Sequence, residues 1–220
     1  MNQFPALSDP LGYVLLEKDF ETLHPDCSLK LYAAWQKISD FVINKVPPKL
    51  KNRFDNVFTT DGKKIVTLFL LPHLFPVNTI RNGKARNWRP SRKESEEGFL
   101  LHLNTIADFE TRLQEQTAKL QSFGQPSQPI TVIIGPSFDE IRQCLVVIDT
   151  FRYKVETPLK AVDLVFKLCN ALNIRYPVEV GQLFMCLQRA VYSFETLWDK
   201  HKNSQLTSSV LAIIQEYKSL

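Results

Sequence analysis

The sequence predicts an α+β protein, a small and mostly antiparallel sheet packed by several helices, with a helix-rich C-terminus. Three observations carry this. Ile130–Ile134 is a short run rich in β-branched residues, bounded by Pro129 and by Gly135-Pro136, and by length and residue type it reads as a buried strand. Two further extended runs, Cys144–Ile148 and Phe151–Val155, flank Asp149-Thr150 at the spacing of a tight hairpin. The period then changes from two to about 3.6. Thr157-Pro158 supplies an N-cap hydroxyl and a proline at the first helical position, where its missing N–H costs nothing. From Leu159 to Leu172 the polar residues are Lys160, Asp163, Lys167 and Asn170, which form one narrow stripe. That stripe is expected to face solvent while the rest of the helix is buried.

Taken from the N-terminus, residues 1–10 carry Pro5 and Pro10 and are expected to drape over the surface, followed by a short extended piece at Tyr13–Leu16. Leu31, Tyr32, Trp35, Ile38, Val42 and Val46 recur at helical spacing, and Pro47-Pro48 stops them, so a helix is expected over Ser28–Lys45. A second short helix is expected over Pro48–Phe58, and Asp61-Gly62 reads as a turn. Ile65–Leu71 is nearly all apolar and is read as a buried strand, with Leu74 and Phe75 plugging the core beyond it. Asn78–Arg92 shows no apolar periodicity and reads as a loop. Ser91 and Glu94 have capping-box spacing, so a helix is expected there, in competition with a strand at Phe99–Leu103. Thr105–Phe123 predicts a regular helix lying across the sheet.

Ser137 and Glu140 repeat the capping-box spacing and predict a short helical turn after the strand. Val178–Phe194 is expected to be a largely buried helix, Asp199–Ser204 a polar connector, and Leu206–Lys218 an amphipathic closing helix. In domain terms, residues 1–78 read as an N-terminal helical and extended region, 79–93 as a basic loop or linker, and 94–220 as the α+β core, the alternative being one continuous domain.

Seven glycines against 15 phenylalanines argue for a packed, aromatic-filled interior over a repetitive or disordered chain. Cys27, Cys144, Cys169 and Cys186 form no C-x-x-C pair, and the last three sit in apolar runs, so they are expected to be small core hydrophobes in a reducing, intracellular setting, cytoplasmic or nuclear. The apolar runs Tyr13–Leu16 and Ile65–Leu71 are too short to cross a bilayer, and no membrane role is expected.

The chemical motifs are few. Ser137 follows a strand, as the serine of a nucleophile elbow does, but Asp139 stands where that sharp turn needs glycine. His24, His73, His102 and His201 show no metal-ligand spacing, and neither a G-x-G-x-x-G nor a G-x-x-x-x-G-K-[ST] loop occurs. Asp139 and Glu140 read as cap residues, Asp149 as a hairpin turn and Asp163 as part of the solvated stripe. No catalytic residue, metal ligand or cofactor is assigned on this basis.

One feature stands apart. Between Gly62 and Lys93 there are eight basic residues and no acidic one, so the rest of a chain with net charge +4 carries −4. Six of the eight, Arg81, Lys84, Arg86, Arg89, Arg92 and Lys93, surround Trp88. Guanidinium groups there can reach phosphates and the indole can stack on a base, which marks these seven residues as a candidate nucleic-acid contact.

Three stretches, RPSRKESEEGFLLHL, ITVIIGP and LKAVDLVFKLCNALNIRYPVEVGQLFMCLQRAVYSF, together resemble the C-terminal region of a loose group of animal proteins linked to transposable elements. The resemblance covers about residues 87–194. That group carries no established activity or catalytic residues, so the resemblance implies a mobile-element context and transfers no site. The expectation for function is a non-catalytic interaction module with a protein partner. The alternatives are a nucleic-acid-binding element acting through residues 81–93, and an enzyme whose active site is dispersed in sequence.

Overall fold

The computed structural model describes residues 5–81, 87–196 and 206–220. Four strands, β1 (Leu101–Leu103), β2 (Ile130–Ile134), β3 (Gln143–Ile148) and β4 (Phe151–Val155), form one sheet in the order β1-β2-β3-β4. The hairpin of β3 and β4 turns on Asp149, at φ 54°, and Thr150, and its register pairs Ile148 with Phe151 and Cys144 with Val155. β2 and β3 are also antiparallel, whereas β1 runs parallel to β2, so the sheet is mixed. The parallel pair needs a crossover. It is supplied by a helix over Phe109–Ser122, preceded by a 3₁₀ turn at Ile106–Asp108.

Strand alternation sorts the core into two sides. Leu101, Leu103, Val132, Ile134, Leu145 and Val147 pack with Phe109 and Leu113 of the crossover helix, which lies across the sheet as its spacing predicts. Ile133, Cys144, Val146, Tyr153 and Val155 face the other way into a larger cluster that runs from Leu7 to Tyr217 and draws on both sides of the 79–93 segment. All four cysteines are buried and reduced within these cores.

The helices, in chain order, are α1 (Tyr13–Leu23), α2 (Lys30–Lys45), α3 (Pro48–Lys51), α4 (Thr60–Leu70), α5 (Arg92–Phe99), α6 (Phe109–Ser122), α7 (Pro158–Ala171), α8 (Gly181–Leu187) and α9 (Ser208–Ser219). α7 packs on the sheet and α1 packs on α7. α5 carries a capping box, with Ser91 and Glu94 each accepting from the other's backbone N–H, and β1 follows it, so the two readings of this region were successive elements. α8 continues as a π-helical turn over Gln188–Tyr192 and stops at Ser193, at φ 63°. The expected connector at Asp199–Ser204 lies outside the described residues.

Several expectations are corrected. Ile65–Leu71, read as a strand, is the body of α4. A short, continuous apolar run is compatible with a strand or with a helix buried on every side, and here Ile65 to Leu70 are all buried. Asp61-Gly62 is not a turn but the first turn of that helix, capped by Thr59, whose Oγ1 accepts from Gly62 N at 3.0 Å. Tyr13–Leu16, read as extended, opens α1, whose buried face is Tyr13, Leu16 and Phe20. After Ser137 there is no helical turn. Ser137 and Glu140 pair across a tight turn within the β2–β3 connection, and Asp139 reaches away to accept from Phe58 N and Thr59 N, both at 3.0 Å. Asp139 therefore serves the start of α4.

That connection is tight at Gly135. A Cβ there would stand 2.0 Å from Glu140 O and 2.8 Å from Ile141 Cα, both backbone atoms that cannot swing aside. Gly135→Ala is expected to destabilise the fold by about 2–4 kcal/mol through forced backbone displacement. An unchanged urea midpoint would show that the connection moves without strain.

The polar stripe of α7 is the largest correction. Asp163 and Lys167 are not solvated: their side chains are 0% and 3% exposed, and they pair with each other at 2.7 Å. Tyr192 Oη donates to Asp163 Oδ1 at 2.5 Å, and Lys167 Nζ donates to Ser28 O at 2.9 Å. Glu17, on α1, pairs with both Lys160 and Lys167. Lys30 Nζ donates to Tyr192 O at 2.8 Å, tying the start of α2 to the π-helical turn. A polar seam thus joins α1, α7 and the π-helical turn inside the protein.

Candidate functional site

The C-terminal end of α7 breaks at Leu172, and Asn173, at φ 51°, turns the chain back toward Tyr176 and Pro177. Opposite this bend the chain after α4 is prolonged by a 3₁₀ turn at Leu71–Leu74 and then runs without helix or strand from Phe75 to Arg81. Between the two lies a cleft of about 1010 Å³. Ser95 of α5, Gly124–Pro126 after α6, and Leu23 and His24 at the end of α1 complete its walls. Gly124, at φ 64°, is where α6 ends: Gln125 N donates back to Leu120 O at 2.9 Å, and this closure lets the chain turn along the cleft.

Much of the cleft's polar lining is engaged with itself. Asn170 Nδ2 donates to Tyr176 Oη at 3.0 Å, and Tyr176 Oη donates to Gln188 Oε1 at 2.8 Å. Gln182 Oε1 accepts from Thr207 N at 3.0 Å. The Cys169 thiol is driven far above its ordinary pKa by burial, so it is a neutral thiol and not a nucleophile. His24 stacks on Phe194 at 3.8 Å, and burial lowers its pKa, which keeps the ring uncharged near neutrality. Among the described residues, no three His, Cys, Asp or Glu side chains converge to hold a metal ion.

Glu179 is the exception. Burial pushes its carboxyl up to about 7, opposed by its own backbone N–H and by the charge of Lys119. Its side chain lies against Gly98 of α5, where a Cβ would stand 2.9 Å from Glu179 Cβ and 3.3 Å from its Cγ and Cδ. Lys119 is already ion-paired with Glu94 and lies over the Trp88 ring at 5.5 Å. A buried acid lining a cleft, its charged neighbour Lys119 already engaged, is a candidate for a functional site.

The candidate basic residues are dispersed. Ile80 and Trp88 exchange backbone hydrogen bonds, N to O at 2.7 and 3.1 Å. Trp88 is 6% exposed and stacks on Phe123 at 4.8 Å, so its indole is held by the protein itself and is not offered to a base. Arg81 is exposed and forms part of the cleft wall; Arg89 is exposed on the other side of the Ile80–Trp88 pair. Arg92 donates to Phe75 O at 2.5 Å and so props the segment that walls the cleft. Lys93 pairs with Glu97 at 3.6 Å. Lys84 and Arg86 lie outside the described residues. The geometry thus brings Arg81 and, through Phe75, Arg92 to a site whose acid, Glu179, was missed in the sequence. The signal for it was an acid set in Y-P-V-E-V-G, with Pro177 and Val180 buried on either side.

Compared with family models, curated proteins and solved structures, the chain matches none. Among the described residues, no helix is long and apolar enough to cross a membrane.

Proposed function

We propose that this protein is a non-catalytic interaction module of mobile-element origin, which receives an extended segment of a protein partner in the cleft between the 75–81 segment and the end of α7. The observation that carries the reading is the position of Arg81, exposed in the wall of a cleft at the foot of a basic loop. The origin rests on the resemblance of residues 87–194 alone. The partner is then a segment with acidic residues, attracted by Arg81, and apolar ones to cover the half-buried Pro76, Val77 and Val178. Support against bond-making chemistry comes from the mutual bonding of Asn170, Tyr176 and Gln188 and from the neutral thiol of Cys169.

The test is selection of short random peptides on the immobilised protein. Acidic, partly apolar sequences are expected to be enriched, and Arg81→Glu is expected to weaken them roughly two- to tenfold, with a shallower dependence on salt, as reversal of a rim charge does. Enrichment of nothing above the bare support, or equal binding to the variant, overturns the reading.

A second reading is favoured by the exposure of Arg81 and Arg89 on both sides of the Ile80–Trp88 pair. With Lys84 and Arg86, which fall between them in sequence, they supply the charge for phosphate contacts. With Trp88 withheld, nucleic-acid binding would rest on charge alone and fall steeply with salt, without base preference. Salt-sensitive binding of single- or double-stranded DNA or RNA, lost on changing these residues to serine, would place this reading first.

A further inference from the structure

We propose that Glu179 is the residue by which the cleft chooses its partner: its carboxylate, seated against Gly98, receives a cationic group, the ammonium or guanidinium of a lysine or arginine in the bound segment. This rests on the cleft being the partner's site.

Three observations carry it. The seat is built, because any residue larger than glycine at position 98 would collide with Glu179 Cβ, so α5 leaves a place for this side chain. Among the described residues the carboxylate has no hydrogen-bond or ion-pair partner apart from its own backbone N–H, and Lys119 acts on it only through its field. Lys119 in turn is engaged by Glu94 and Trp88. Finally, the side chain lines the cleft while packed against Gly98, and burial there penalises an uncompensated charge.

A cation entering the cleft removes that penalty and gains a charge-assisted hydrogen bond in a poorly solvated place, where such bonds are strongest. A neutral donor recovers only part of this. The chosen segment is therefore mixed in charge, with one basic residue for Glu179 and acidic residues for the loop carrying Arg81.

The experiment uses the full chain with ¹³C-labelled glutamate carboxyls. Glu179→Gln identifies the Glu179 signal, and its titration is followed with n-butylammonium chloride and, separately, with n-butanol. The ammonium is expected to lower the Glu179 midpoint and n-butanol to leave it in place. In parallel, peptides selected on the wild type are expected to carry lysine or arginine at a fixed position. Replacing that residue by norleucine should cost about 10- to 100-fold on the wild type and little on Glu179→Gln, as expected for a buried pair with one partner removed.

A midpoint insensitive to the ammonium, or selected peptides with no enriched basic residue, overturns the inference while leaving the interaction module standing. A shifted midpoint with no peptide enriched keeps Glu179 as a cation site and overturns the module.

Discussion

Asp163→Ala is expected to destabilise the protein by about 3–5 kcal/mol, the range for removing one partner of a buried ion pair. The reason is what it leaves behind. Lys167 is 3% exposed and would keep only Glu17, at 3.3 Å, and Ser28 O, at 2.9 Å, as partners for its charge. Tyr192 Oη, fully buried, would lose its acceptor at the same time. Against a total stability of about 5–15 kcal/mol for a domain, this takes the protein to the edge of folding.

The companion experiment separates the pair from its surroundings. Asp163→Leu combined with Lys167→Met removes both charges, and buried pairs replaced by apolar residues of similar volume are frequently neutral in effect. The double variant should therefore be more stable than Asp163→Ala, by about 2 kcal/mol or more, although it changes more atoms. Urea unfolding of the set gives the answer, and losses that simply add would show that the two charges do not depend on each other.

The same pair shows why part of this fold was legible in the sequence and part was not. The β3–β4 hairpin and α7 were read correctly because their signals are local: two extended runs around a two-residue turn, and a Thr-Pro start followed by apolar periodicity. The stripe on α7 has the same spacing whether it faces water or another helix. What decides is α1, whose Glu17 meets Lys160 and Lys167, and α1 was itself misread as a short extended piece. One missed helix therefore turned a buried network into an apparent solvated face.

Trp88 failed for a related reason. In sequence it is an aromatic among arginines, and its partner Phe123 comes from the far end of α6, a contact that no local pattern encodes. α4 failed because a helix buried on every side carries no amphipathic period to read. Glu179 was passed over because one acid between valines is weak evidence until a cleft is seen beside it. The capping box at Ser91 and Glu94, in contrast, is written in four residues and formed as expected.

Glu179→Gln is expected to stabilise the protein above neutral pH and to do little in acid. The sign follows from the proton. In the folded protein burial raises the Glu179 pKa to about 7, whereas an unfolded chain holds a glutamate near ~4.3. Between these values the folded state binds the proton more tightly, so stability falls as pH rises from ~4.3 to ~7 and the full penalty persists above that window. Below ~4.3 both states are protonated and the penalty vanishes.

Glutamine carries no charge and escapes this loss. The variant should therefore exceed the wild type by roughly 2–3 kcal/mol near pH ~8, after allowance for the partial exposure of the side chain, and by little near pH ~4. Lys119, paired with Glu94, is the charged neighbour that pulls in the opposite direction, and it is unchanged in the variant. Urea unfolding of both proteins across this range measures the difference directly. A difference that stays constant with pH would mean that the carboxylate is solvated and that nothing holds its proton. A difference that grows through the window, together with a wild-type Glu179 midpoint that n-butylammonium lowers, would show that the cleft gives up stability to keep a carboxylate ready for a cation, as functional sites commonly do.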